Sequence, residues 1–184
     1  MSMLASMPVR PAAALALAEK SVPRYTSYPT APHFSGEVNA EVAEGWLAAL
    51  DPAARLSLYL HVPYCSAICT YCGCHTKAVR RSEPLDEYTR ALKAEIAAVA
   101  RRSPAHGVTH IHWGGGTPSL LGPRRVLDLA ETLQAQFDFS HLVEHAIELD
   151  PRTVREALVA ALAKGGITRA RLGVQDLNLH VQEA

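Results

Sequence analysis

The four cysteines of this chain, Cys65, Cys69, Cys72 and Cys74, fall within the stretch HVPYCSAICTYCGCHT, residues 61–76, and none lies elsewhere among its 184 residues. Thiols at that density serve a disulfide knot, a zinc ion or an iron–sulfur cluster. Disulfide frameworks belong to small secreted domains that lack a sufficient core. This chain is long enough to bury one. Zinc could use the same thiolates, with His61 or His75 completing a tetrahedron. Structural zinc, however, usually draws paired ligands from two separated pieces of chain. A single loop with thiols separated by three, two and then one residues matches three corners of a cubane better. The loop is therefore read as an iron–sulfur site, with zinc as the alternative.

The elements that must position this loop follow from hydrophobic periodicity. A short helix is expected over residues 39–50, with Asn39 as its cap. LSLYLHV, residues 56–62, reads as a strand stopped by Pro63. The cysteine loop follows, then a long helix over 84–101 capped by Ser82, in which Leu85, Tyr88, Leu92, Ile96 and Val99 keep helical spacing. VTHIHW, residues 108–113, is a second strand ending in glycines, and Pro123 opens the next helix. HAIEL, residues 145–149, is a third strand, 153–164 a helix closed by glycines, and RARLGV, residues 169–174, a fourth strand. Strands alternating with helices predict an α/β fold with a parallel sheet.

In such sheets the working groups sit at the carboxyl ends of the strands. The first strand ends in the cysteines, the second in Gly114-Gly115-Gly116-Thr117, the third at Glu148 beside Asp150, and the fourth at Gln175-Asp176. All four features are expected on one rim. Bare glycines let a ligand approach the backbone, and free N–H groups are expected there, between a strand and a helix. Glu148 faces one side alone, because Ile147 and Leu149 point the other way. A carboxylate there needs a cation or hydroxyl donors. Gln175 offers an acceptor and donors for the same kind of contact, whereas Asp150 and Asp176 read as helix caps.

The spacing of Cys65, Cys69 and Cys72 resembles the signature of the radical S-adenosylmethionine (SAM) enzymes. The resemblance implies a partial (β/α) barrel. In it these three thiolates hold three irons of a four-iron, four-sulfur cluster, and SAM chelates the fourth through its amino and carboxylate groups. RYTSYPT, LYLHVPYC, CTYCGCH, HWGGGTPSLL, IELDP and RLGVQDLN occur in the order found in the family of oxygen-independent coproporphyrinogen III oxidases. That likeness runs from about residue 21 to the end of the chain. It implies oxidative decarboxylation of coproporphyrinogen III to protoporphyrinogen IX in heme biosynthesis. A 5′-deoxyadenosyl radical takes hydrogen from the β-carbon of a propionate, which then loses carbon dioxide and one electron to become a vinyl group. The same likeness implies two SAM molecules: one at Tyr59, Gly115 and Glu148, the other at Tyr71, Gly116, Thr117 and Gln175. It makes Cys74 a substrate-site residue rather than a ligand, and raises His61 from an ordinary strand residue to an active-site one. A related heme chaperone and a zinc-stabilised, non-catalytic domain are the alternative readings.

The rest of the sequence bounds the partners. Eighteen basic residues balance eighteen acidic ones, so nothing marks a nucleic-acid surface, and no apolar run approaches the ~20 residues that span a bilayer. PVRPAAALALAEK is read as an extension over residues 1–20 rather than a secretion signal. Residues 21–55 are expected to form an arm and helix, and 56–184 the N-terminal part of the barrel. A cytoplasmic monomer is expected, served by an electron donor of unidentified nature. With four strands visible, the chain reads as an incomplete barrel and an N-terminal fragment of such an enzyme. Its expected edge strand is unpaired and one side of the cofactor site is open to water.

Overall fold

The computed structural model describes residues 29–183. The extension over residues 1–20 and the first five residues of RYTSYPT, Arg24 among them, lie outside the described residues. The chain divides into two compact units, Met1–Asn39 and Ala40–Ala184. The described part of the first holds a 3-10 turn, Ala31–His33.

The second unit begins with helix α1, Ala40–Ala48. Strand β1, Arg55–Val62, leads into two short strands, β2 at Tyr64–Cys65 and β3 at Lys77–Ala78. Helix α2, Glu83–Arg102, then crosses to β4, Gly107–Gly115. A 3-10 turn, Pro118–Leu121, precedes α3, Gly122–Gln136, which returns to β5, Glu144–Leu149. Helix α4, Glu156–Lys164, β6, Arg169–Leu172, and the short α5, Leu179–Gln182, complete the unit. The main sheet is parallel throughout in the order β1-β4-β5-β6, and β2 and β3 form a separate parallel pair. Consecutive strands thus lie side by side with a helix between each pair, as the alternating pattern predicts for a partial barrel.

The strands are two-sided. Leu60, Val62, Ile111, Trp113, Ile147 and Leu149 are buried in one core with Leu85, Leu92 and Ile96 of α2, Val126, Leu129 and Leu133 of α3, and Leu158 and Leu162 of α4. All three crossover helices therefore cover the same face. The side chains between those apolar positions point the other way: Ser57, Tyr59 and His61 on β1, His110 and His112 on β4, Glu144 and Glu148 on β5, Arg169 and Arg171 on β6. That second face is polar.

One polar pair is buried in the helix-covered core. The indole N–H of Trp113 donates to His145 Nε2 at 2.8 Å, and both residues are 0% exposed. Accepting at Nε2 leaves the proton of neutral His145 on Nδ1, which has no partner among the described residues. Burial pushes the pKa of His145 down to about 4, with the backbone of Gly166 offsetting part of the effect.

Several boundaries differ from the periodicity. Helix α4 starts at Glu156 rather than at 153, because Asp150 organises a turn first. Its carbonyl accepts from Thr153 N–H at 3.0 Å and its carboxylate from Arg152 N–H at 3.0 Å. Asp176 likewise accepts from Asn178 N–H at 2.8 Å. Both carboxylates hold turns rather than cap helices; Asn178 caps α5. Ser82 sits at the N-cap position of α2 without a side-chain cap, and its hydroxyl instead meets Asp86 at 3.3 Å. Strand β6 ends at Leu172, two residues early, and is exposed along its length.

Candidate functional site

The cysteine loop is closed by its own base. Lys77 N–H donates to Pro63 O at 2.9 Å and Val79 N–H to Cys65 O at 2.8 Å, pairing β3 with β2 on either side of Tyr64. Pairs this short carry no periodicity, so the sequence did not announce them. Tyr88 of α2 donates its hydroxyl to His61 O and packs edge-on against Tyr64, ring centres 5.5 Å apart. The loop thus leaves a fixed strand end and returns to it.

Inside the loop all four thiols are free. Cys72 N–H donates to Cys69 O at 3.1 Å. Thr117 Oγ1 donates to Cys65 Sγ at 3.3 Å, and Thr76 Oγ1 lies 3.3 Å from the same sulfur. Among the described residues no three His, Cys, Asp or Glu side chains converge as ligands of a single metal ion. Free thiols on one closed loop are the ligand type that an iron–sulfur cluster takes. At Cys74 desolvation raises the thiol pKa first, with further increases from Cys72, Cys65 and Glu148, which favours the protonated thiol.

The glycine-rich segment is shaped by this loop. A Cβ on Gly116 would stand 2.4 Å from Thr76 Oγ1 and 2.9 Å from Cys65 Sγ, so only glycine fits against the cysteine. Gly115 has φ +113°, and a Cβ there would meet the His61 ring at 2.9 Å. The free N–H groups expected here are not free. Gly116 N–H donates to Val62 O at 2.8 Å and Thr117 N–H to Tyr64 O at 2.8 Å. The segment therefore offers carbonyl oxygens and bare α-carbons, which suit a donor such as an ammonium group rather than an anion.

A second group forms on the polar face. Tyr59 Oη lies 3.1 Å from His61 Nδ1, and His61 Nε2 lies 3.0 Å from the carbonyl of His75. The carbonyl can only accept, so Nε2 carries a proton. In neutral His61, Nδ1 then accepts from the Tyr59 hydroxyl. His61 thereby ties the end of β1 to the cysteine loop. His112 lies 3.1 Å from Glu148 Oε1 through Nε2 and stacks on Tyr59. Burial raises the pKa of the Tyr59 hydroxyl, and the nearby Glu148 and Cys74 raise it further. The phenol stays protonated.

The expected residues fall into two sets. Tyr59, His61, Cys65, Cys74, Gly115, Gly116, Thr117 and Glu148 are joined by the hydrogen bonds, close approaches and electrostatic contacts above. Tyr71 is 65% exposed on the loop, electrostatically near Cys69 and Arg152. Gln175 lies past β6 with φ 70°, the one non-glycine positive φ among the described residues, and its amide occupies space beside Gly173. The described contacts do not tie Gln175 to the first set. Sequence reasoning missed the contacts of Thr76, Tyr88 and His112. For the last a signal existed: in HIHWGG it shares the strand parity of Gly114, which faces away from Ile111 and Trp113.

The family model described as the radical SAM superfamily matches residues 59–184. The chain is 45% identical over 172 residues to an oxygen-independent coproporphyrinogen III oxidase of Bradyrhizobium diazoefficiens, covering 93% of this chain and 38% of that protein. It is 40% identical over 171 residues to the Escherichia coli protein of the same name, covering 91% and 37%. A solved structure of coproporphyrinogen III oxidase from Escherichia coli, described as a radical SAM enzyme, matches with a TM-score of 0.79 at 37% identity, covering 92% of this chain and 38% of that one. The chain spans little more than a third of the length of these relatives.

Proposed function

This chain belongs to the radical SAM superfamily, and from that premise we propose that its reaction is the oxygen-independent oxidative decarboxylation of coproporphyrinogen III to protoporphyrinogen IX in heme biosynthesis. The observation that carries the chemistry is the junction of the closed cysteine loop with Thr117 and Gly116, at the same strand ends that hold Tyr59 and Glu148. The named relatives above support the choice of substrate.

Cys65, Cys69 and Cys72 would hold a four-iron, four-sulfur cluster, which when bound supplies the electron that cleaves SAM and so initiates hydrogen removal from a propionate. The chain's own residues then bind and orient. The carbonyls around Gly115 and Gly116 accept from the ammonium of the methionine moiety. Glu148 and Tyr59 take hydroxyl or cationic groups of the first SAM molecule. Tyr71, Thr117 and Gln175, with Gly116, take the second. Cys74, protonated and one residue past the ligand triplet, and His61, between Tyr59 and the loop, serve the substrate rather than the metal. The electron donor is a separate partner. The enzyme works as a cytoplasmic monomer; no helix among the described residues is long and apolar enough to cross a membrane.

The test is anaerobic incubation of the reconstituted chain with reductant, SAM and coproporphyrinogen III. It is run in parallel on a longer version, in which the part of the Bradyrhizobium diazoefficiens relative that this chain does not cover is joined to it. Protoporphyrinogen and carbon dioxide are expected from the longer version. Stable binding of finished heme, with no carbon dioxide released by either version, would assign the chain to the heme chaperones instead.

A further inference from the structure

His112 takes no part in the site as proposed so far, yet it touches two of its members. Its ring lies parallel to that of Tyr59, 10° between planes and 5.8 Å between centres, in direct register across β1 and β4. Its Nε2 donates to Glu148 Oε1 at 3.1 Å, because a carboxylate can only accept. Next along β4 on the same face is Gly114. A Cβ there would stand 3.0 Å from Tyr59 Oη and 3.2 Å from Glu148 Oε2. The phenol and the second carboxylate oxygen therefore crowd the bare α-carbon of Gly114, which is what lets these two groups approach each other. The Tyr59 proton is already directed to His61, and Glu148 Oε1 is already held by His112. What remains is a pair of acceptors, Tyr59 Oη and Glu148 Oε2, brought together beside Gly114.

We propose that His112 is a positioning residue for SAM. It holds Glu148 by hydrogen bond and Tyr59 by stacking, so that both accept from donor groups of the same ligand. A flexible glutamate with no partner would sample several rotamers and lose entropy on binding. The hydrogen bond from His112 removes that freedom beforehand, and stacking fixes the plane of the phenol. The inference rests on the assignment of Tyr59 and Glu148 to SAM.

The experiment is calorimetric titration of SAM into the cluster-reconstituted chain, with iron content measured for each variant. His112→Phe keeps a stacking ring and loses the donor. Its SAM affinity is expected to fall about 10- to 100-fold at unchanged iron, the size usual for an outer partner that orients a ligand-binding group. His112→Gln, whose amide can reach the position of Nε2, recovers part of the loss. In a Glu148→Gln background, His112→Phe costs much less, because the group it orients has already changed. Equal affinity of wild type and His112→Phe overturns the positioning role, as does an equal loss in both backgrounds. Should His112→Phe fail to load iron, His112→Asn, too short to reach Glu148, takes its place with the same expected and overturning results. If the loaded wild-type chain binds no SAM, the assignment of Tyr59 and Glu148 fails first, and this proposal with it.

Discussion

The two faces of the β1-β4-β5-β6 sheet are made from the same strands and divide the work between them. Towards the helices, Leu60, Val62, Ile111, Trp113, Ile147 and Leu149 are nearly dry, and their one polar event is the pairing of Trp113 with His145. Away from the helices, Tyr59, His61, His112 and Glu148 make hydrogen bonds to one another and to the cysteine loop, with their remaining valences open. Strand alternation alone separates the two sets. The lesson is that rigidity and chemistry sit one residue apart. Each reactive side chain on the polar face is flanked in sequence by anchors in the core, so the site inherits its geometry from packing beneath it.

The comparison can be broken at its chemical end first. Cys74→Ala is expected to load iron normally in the catalytically complete protein and to lose product formation by about 10²-fold or more, the usual scale for removing a group that handles a proton. Iron analysis beside a turnover assay checks this. Loss of the iron would make Cys74 a ligand instead.

The stability end comes next. Trp113→Ala removes a large, fully buried side chain and strips His145 Nε2 of its donor. Chemical denaturation should show a loss of about 3–5 kcal/mol. Ser57→Ala, on the polar face, should change stability by no more than about 0.5 kcal/mol. Comparable losses from both would mean that the faces share the structural load.

The smallest of these effects is a pH dependence. His145 is held neutral, with its pKa near 4 against an ordinary value of 6.5. Between those values the unfolded chain binds more protons than the folded one, so stability rises with pH across that window. The contribution is complete above about pH 6.5 and is lost progressively towards pH 4, by up to ~3 kcal/mol. Denaturation midpoints at pH 7 and pH 5, compared between wild type and His145→Gln, should show a shallower fall in the variant. Parallel falls would show that His145 is not the group titrating.

How much was legible in the sequence depended on how local each cause is. The cysteine loop was legible because its thiols lie a few residues apart, and the family it resembles is the one that matches. The crossover helices were legible from periodicity. His112 was legible only in part: strand parity puts it on the polar face, but its partners Tyr59 and Glu148 lie on strands far away in sequence. The N–H groups of Gly116 and Thr117 looked available for the same reason. Their acceptors, Val62 O and Tyr64 O, belong to a chain segment some fifty residues earlier that folds back beside them. The late start of α4 turned on Asp150 competing for the backbone, a choice that apolar spacing does not record.

The central claim is that three thiols of one loop hold an iron–sulfur cluster. The most direct measurement is the metal and acid-labile sulfide content of protein made and handled without oxygen, for the wild type and for Cys65→Ala, Cys69→Ala and Cys72→Ala. The account predicts iron and sulfide in equal amounts, about four of each per chain, and their loss in all three variants. Zinc with neither iron nor sulfide, or full iron in any of the three, would contradict it.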